Sequence, residues 1–274
     1  MDKAGSAGAR SALPALLGPV AVVLGLAAMW ACLSVVRPIG LRPALIVSEA
    51  VLAMPGLVLF VLFGIPFARG LALRFPDRGT VLLSLGAGAT LWAASLGLLE
   101  MQYLFWRPPP GYLEAFRRLH ELLRPSNPLD ALASVAAIAI APAVFEEVLF
   151  RGIVLPSFRA ALGAAGAVLA SAALFGAIHL DMGEGGAVLY RIPFAFAVGA
   201  VLGALRLSTG ELLPPVLAHA TLNTITLLAT PLVDDPSQGL PDPRPLMGAL
   251  LLLGGSAATA FVFRQYRSER RVQT

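Results

Sequence analysis

Two adjacent acids and an arginine, Glu146, Glu147 and Arg151, lie inside a long apolar stretch of the sequence. The residues before them are almost all Ala, Ile, Val, Pro or Phe, and the residues after them are Gly, Ile, Val and Leu. An ionised group at membrane depth costs roughly 2.5–3.5 kcal/mol on insertion scales, so such groups are concentrated at functional sites. The cluster therefore indicates an active site built between membrane helices.

The spacing of these residues determines which of them can pair. Glu147 and Arg151 are four residues apart, so on a helix one side chain lies above the other and we expect an ion pair. Glu146 lies about 100° round the helix axis from Glu147, which leaves its carboxylate free to face another partner. Glu146 is therefore a candidate general base.

Two more pairs of residues at helical spacing follow on later apolar segments. Phe175 and His179 are four residues apart, as are His219 and Asn223, so each pair shares one face of its helix. These groups suffice for peptide hydrolysis. Glu146, with His179, would deprotonate a water, while His219 and Asn223 would donate hydrogen bonds to the developing oxyanion. The same groups could instead hold the helices together through interhelical hydrogen bonds.

The composition indicates the environment of these residues. The chain has 274 residues, of which 57% are hydrophobic and 13% charged, whereas charged residues approach a quarter of an ordinary soluble domain. We predict an all-α membrane protein, a polytopic bundle of about eight transmembrane helices plus one interfacial amphipathic helix. The net charge of +4 comes from loops and tails, so it reports membrane topology and indicates no nucleic-acid partner. A single cysteine, Cys32, excludes an internal disulfide and a Cys-based metal site.

Recurring apolar segments of about 20 residues predict where the spans lie. We expect them at about Leu13–Val36, Ala44–Phe67, Thr80–Phe105, from Leu129 through the acid motif, Ala160–Leu180, Leu189–Leu207, from Pro214 onwards, and Leu246–Phe263. The fourth span should be long, with its turn near Arg159–Gly163, because only then do Glu146 and His179 lie at the same depth. In the sixth span, Ala195, Gly199 and Gly203 form a small-residue seam for close helix packing.

The remaining segments complete the predicted organisation. Tyr112–Arg124 has the pattern of an amphipathic helix at the membrane interface, with His120 solvated. Glu49 and Glu100, in the second and third spans, are expected to reach the interface or a partner. Residues 1–128 would hold the first three spans and the interfacial helix, residues 129–230 the catalytic helices, and residues 231–274 an acidic loop, the last span and a basic tail.

The distribution of positive charge predicts the orientation in the membrane. With eight spans both termini share a side, and that side carries twelve of the twenty Lys and Arg residues. Because cytoplasmic segments are enriched in Lys and Arg, we expect a multi-pass protein of the cell (plasma or inner) membrane with both termini in the cytoplasm.

The motifs resemble those of a known family. Glu-Glu-x-x-x-Arg, Phe-x-x-x-His and His-x-x-x-Asn follow one another in this order, and a Thr-Gly-x-Leu-x-Pro-x-x-x-x-His-Ala run, which contains His219, precedes Asn223. Together they are similar to the CAAX-protease and bacteriocin-processing (CPBP, or Abi) family of intramembrane endopeptidases, including its CAAX prenyl protease 2-like members. The resemblance covers about Leu129–Thr230.

The resemblance implies a helical membrane fold and a division of roles among the candidate residues. Glu146 and His179 would activate a water, His219 and Asn223 would stabilise the oxyanion, and Glu147 with Arg151 would organise the site. The partners would be the lipid bilayer and a peptide or membrane-protein substrate that can carry a lipid.

Alternatives remain for the metal and for the activity. Glu146, His179 and His219 could ligate Zn²⁺, but Asn and Arg suit oxyanion and carboxylate binding better, so we expect no obligatory cofactor. A transporter or proton relay could use the same buried groups, although inverted repeats and broken helices in both halves are not evident. A non-catalytic immunity or regulatory membrane protein is the other alternative.

Overall fold

The structure, a computed structural model, describes residues 14–109, 118–119, 121–183, 186–229 and 243–273. Almost all of these residues are helical. The helices are α1 Leu17–Val36, α2 Leu41–Leu62, α3 Phe67–Gly70, α4 Arg78–Phe105, α5 Pro128–Val135, α6 Ala141–Glu147, α7 Leu155–Ile178, α8 Ile192–Thr209, α9 Leu213–Ala229 and α10 Pro245–Gln273. A 3₁₀ turn, Arg37–Ile39, joins α1 to α2. Two π-helical turns, Ala136–Ile140 and Val148–Val154, join α5, α6 and α7 into one stretch.

The helices confirm the predicted polytopic bundle. In the described ranges, six helical segments are long and apolar enough to cross a membrane, and α9 is a shorter apolar helix. The segment Pro128–Ile178 has 51 residues. At 1.5 Å per residue it would extend about 77 Å, more than twice the ~30 Å hydrocarbon core. When this segment is counted as two spans and α9 as one more, the described helices give the eight predicted spans.

The long segment folds back at Gly163. Its φ of 67° and ψ of −174° lie in a region that glycine adopts without strain. Beyond this turn, the Ser171 hydroxyl donates a hydrogen bond to the Phe150 carbonyl at 3.3 Å, and the rings of Phe150 and Phe175 lie 5.0 Å apart. Phe150 and Phe175 lie 13 and 12 residues from Gly163 along the chain. Glu146 and His179, each one helical turn beyond this pair, therefore lie at nearly the same depth, as predicted.

Helix α2 runs parallel to the stretch that carries the two acids. At its first turn, Arg42 Nε donates a hydrogen bond to Ser134 Oγ at 2.9 Å. Further along, Gly56 packs so closely that a Cβ there would overlap the side chain of Ile153. These two contacts place the middle of α2, and therefore Glu49, beside the end of α6.

Small residues bring the other helices of the site together. A Cβ on Gly199 would lie 3.1 Å from the Phe175 ring, and one on Gly203 would lie 3.3 Å from Leu155, so the predicted seam is the contact between α8 and α7. Helix α9 is held in the same way against α4, where a Cβ on Gly88 would overlap the carbonyl oxygen of Ala218. Small side chains at such contacts let helix backbones approach closely in lipid.

Several predicted boundaries are corrected by the structure. The second span ends at Leu62 and not at Phe67, because Gly64 has a φ of 63° and Pro66 lies just beyond it, so the helix cannot continue. The polar turn after His179 is an antiparallel hairpin of β1 Asp181–Gly183 and β2 Gly186–Val188.

Other predictions fall outside the part of the chain that the structure describes. The interfacial helix over Tyr112–Arg124, with His120, lies mostly outside the described residues, and so does most of the acidic loop that follows α9. The division into residues 1–128, 129–230 and 231–274 stays a prediction.

Candidate active site

The ion pair between Glu147 and Arg151 is buried in the interior of the bundle. Both residues are 0% exposed, and Arg151 Nη1 donates a hydrogen bond to Glu147 Oε1 at 2.8 Å. The other guanidinium nitrogen, Nη2, donates to the Gly199 carbonyl of α8 at 2.8 Å. The pair expected from the four-residue spacing is therefore present, and it links the acid motif to the neighbouring helix. It lies where a π-helical turn begins, a distortion that is frequent at functional sites.

The guanidinium of Arg151 and the two imidazole rings of the site all pack around the ring of Phe175. The guanidinium carbon of Arg151 lies 4.7 Å from the ring centroid, a cation–π geometry. The centroids of the two imidazole rings, His179 and His219, lie 4.7 and 6.1 Å from it. One buried aromatic residue of α7 thus contacts side chains from three helical segments.

His219 connects the two acids. Its Nδ1 lies 3.0 Å from Glu147 Oε1, and its Nε2 lies 3.9 Å from Glu146 Oε2. Because the carboxylate can only accept, Nδ1 must carry a proton and donate it. Nε2 then carries a proton only when the ring is an imidazolium. The role expected for His219 as an oxyanion donor therefore requires the protonated ring.

His179 also carries a proton on Nδ1. Its Nδ1 lies 2.7 Å from the carbonyl oxygen of Phe175, which can only accept, so Nδ1–H donates. In the neutral ring the lone pair is then on Nε2, which is available to accept a proton. No hydrogen bond joins His179 directly to Glu146 within the described residues.

Glu146 and Asn223 keep their polar atoms available. Glu146 is 8% exposed and makes no hydrogen bond to a described residue, whereas Glu147 is engaged by Arg151 and His219. Asn223 lies on α9, one turn beyond His219 and partly exposed, and its amide also has no hydrogen-bond partner among the described residues. Both contacts of Glu147 are made by its Oε1, and its Oε2 is buried without a hydrogen-bond partner among the described residues. The site therefore contains one carboxylate that is engaged in an ion pair and one that is not, as the helical spacing suggested.

The structure adds Arg191, which the sequence analysis did not single out, and corrects the prediction for Glu49, which was expected to reach the interface or a partner. Glu49 of α2 interacts electrostatically with Glu146, and its Oε2 is buried without a hydrogen-bond partner among the described residues. Arg191, which precedes α8, interacts electrostatically with both Glu146 and His179. For Glu49 the signal was its position well inside an apolar span. By contrast, Glu100 accepts a hydrogen bond from the Arg244 backbone N–H at 3.1 Å, as expected of an acid that reaches a partner.

The same side chains include groups that could ligate a metal ion. Among the described residues, no group of three His, Cys, Asp or Glu side chains is arranged to hold a metal ion. The Nδ1 hydrogen bonds of His179 and His219 are nevertheless of a kind that metal-bound histidines also make. The absence of an obligatory metal therefore stays a prediction. Activity after removal of metal ions by a chelator tests whether Glu146, His179 and His219 bind zinc.

One comparison with known families matches the region that carries the candidate site. The model of the family described as Type II CAAX prenyl endopeptidase Rce1-like matches residues 128–225, a little over a third of the chain. The matched region begins with α5 and ends in α9, so it contains all the residues of the predicted motifs. The predicted resemblance to a CAAX protease family is confirmed over this region. No curated protein and no solved structure matches the chain.

Proposed function

We propose that this protein is an intramembrane endopeptidase that hydrolyses a peptide bond near the membrane surface, using a water activated by Glu146 with His179. One observation carries the proposal. In a region that matches a peptidase family, buried Glu146 has no hydrogen-bond partner among the described residues, while the adjacent Glu147 is held by Arg151 and His219.

We assign the role of general base to Glu146 because its carboxylate makes no hydrogen bond to a described residue, whereas Glu147 is engaged by the Arg151 guanidinium and by His219. It would accept a proton from the attacking water, whose oxygen then forms a bond to the carbonyl carbon of the substrate. The Nε2 lone pair of His179 can accept a hydrogen bond from the same water, because the bond from Nδ1–H to the Phe175 carbonyl fixes the tautomer. The ring is thereby oriented before substrate binds.

The oxyanion that forms at the carbonyl would be stabilised by His219 and Asn223. Protonated His219 donates from Nε2, while the hydrogen bond from its Nδ1 to Glu147 at 3.0 Å compensates its positive charge. The Asn223 amide, one turn further along α9, supplies a second N–H donor. Preorganised donors of this kind are worth roughly 10²–10³ in rate each.

Collapse of the tetrahedral intermediate completes the reaction. The proton taken up by Glu146 passes to the nitrogen of the leaving amine, the carbon–nitrogen bond breaks, and a carboxylate and an amine are released. Arg151 and Glu147 do not exchange protons in this scheme. They position His219 and Phe175, and the positive charge of Arg151 compensates the negative charge of Glu147.

The site lies near one end of the bundle, and the start of α1 and the end of α10 point to the other end. His179 directly follows α7, while Gly18 of α1 packs against Ser157 near the opposite end, where Tyr266 of α10 also contacts Ser84. If both termini are cytoplasmic, as we propose, the site opens towards the non-cytoplasmic face of the cell membrane. Reporter fusions at either terminus test this orientation.

The substrate is a peptide or membrane protein, and the family match directs the choice of probe. A synthetic peptide ending in Cys-aliphatic-aliphatic-X, with or without a prenyl group on the cysteine, is incubated with purified protein and the products are weighed by mass spectrometry. We expect release of the C-terminal tripeptide, faster from the prenylated peptide. Intact peptides after prolonged incubation with folded protein would contradict the proposed activity.

A further inference from the structure

A short hairpin places Arg191 near His179. Strand β1 follows His179 and strand β2 precedes Arg191, and Asp181 pairs with Val188 in the antiparallel register. The two ends of the hairpin are therefore neighbours, so His179 and Arg191 lie beside one another although they are twelve residues apart in the sequence.

The backbone at Arg191 is firmly held. The carbonyl of the preceding residue, Tyr190, accepts a hydrogen bond from Gln102 Nε2 of α4 at 2.8 Å, and the Tyr190 ring packs edge-on against Trp106 at 5.6 Å. On the other side, the start of α8 is so close to α7 that a Cβ on Gly176 would lie 3.2 Å from the Ile192 carbonyl oxygen. Arg191 is thus fixed to the bundle from both sides.

Among the described residues, none engages the guanidinium of Arg191. The side chain is partly exposed and makes no hydrogen bond or ion pair with a described residue. It is nevertheless near enough to Glu146 and His179 to interact electrostatically with both. A fixed cation with five free N–H donors is suited to bind a carboxylate through two parallel hydrogen bonds.

On the basis of the proposed function, we propose that Arg191 binds the C-terminal carboxylate of the peptide substrate. The geometry suits a bond three residues from the C-terminus, because three extended residues reach about 10 Å. A cation that binds the carboxylate of such a substrate would therefore have to lie about 10 Å from the attacked carbonyl. Arg191 would then select substrates by their free C-terminus and set the position of the scissile bond.

The test compares two peptides and four proteins. The prenylated peptide is made with a free C-terminal carboxylate and with a C-terminal carboxamide, and kcat/KM is measured for the wild type, Arg191→Gln, Arg191→Lys and Arg159→Gln. Arg159 is the matched control, because it is an exposed arginine of α7 at the far end of the bundle. Thermal melting verifies that each variant is folded.

The ratio of kcat/KM for the carboxylate peptide to that for the carboxamide peptide shows whether Arg191 binds the carboxylate. Wild type and Arg159→Gln should prefer the carboxylate by about 10- to 100-fold, as expected for hydrogen bonds to a charged group. Arg191→Gln should lose that preference by a higher KM on the acid alone, and Arg191→Lys should keep part of it. Equal loss on both peptides would make Arg191 a counter-charge of Glu146 and overturn the inference, as would a wild type without preference. A folded wild type that cleaves neither peptide would instead contradict the proposed function, and the inference with it.

Discussion

Replacing Arg151 by alanine removes three interactions of a fully buried side chain. These are the 2.8 Å ion pair with Glu147, the 2.8 Å hydrogen bond to the Gly199 carbonyl and the 4.7 Å contact with the Phe175 ring. Glu147 would remain 0% exposed with His219 as its remaining partner. Removal of one member of a buried ion pair typically costs about 3–5 kcal/mol, because the other charge is left uncompensated.

The assay is thermal unfolding in detergent micelles. A loss of this size in a protein of this length should lower Tm by roughly 6–20 °C. The double variant Glu147→Gln with Arg151→Met should recover part of the loss, because no uncompensated charge remains and the methionine refills the space. Arg159→Ala, an exposed arginine on the same helical stretch, should change stability by less than about 0.5 kcal/mol. Equal Tm values for the wild type, Arg151→Ala and the double variant would refute the argument.

Three further predictions test other parts of the site. Gly88→Ala should lower both activity and stability, because its Cβ would overlap the carbonyl oxygen of Ala218 and push α9 away. The control Gly86→Ala should be nearly neutral, because no neighbouring atom lies within 4 Å of the added Cβ. Equal effects of the two substitutions would show that α4 does not position α9. Asn223→Ala should lower kcat by roughly 10²–10³ with KM little changed, and a change confined to KM would remove it from the oxyanion site. Exhaustive chelation should leave activity intact, and loss that added Zn²⁺ restores would show a zinc enzyme.

The parts of the site that follow from local geometry were predictable from the sequence. The pair of Glu147 and Arg151 needed only the four-residue repeat of a helix. The common depth of Glu146 and His179 needed only the position of the turn, and the glycine at 163 supplied a residue able to make it.

The contacts between distant helices could not be predicted in this way. Glu49 lies beside Glu146 because Arg42 and Gly56 fix α2 against the acid-bearing stretch, and no local pattern contains that alignment. The hydrogen bond from His219 to Glu147 likewise depends on the position of α9. That position is set by the close contact of α9 with Gly88 of α4. Sequence reasoning therefore proposed the candidate residues but could not tell which nitrogen of each histidine is already engaged.

The central claim is that Glu146 activates the water that cleaves the peptide bond. It is tested most directly by single-turnover cleavage of the prenylated peptide with Glu146→Gln, while peptide affinity and Tm are measured on the same preparation. Glutamine keeps the shape of the side chain and removes its ability to accept the proton. We predict a rate at least roughly 10²-fold below wild type, with affinity and Tm close to wild type. Cleavage at a near wild-type rate would contradict the mechanism.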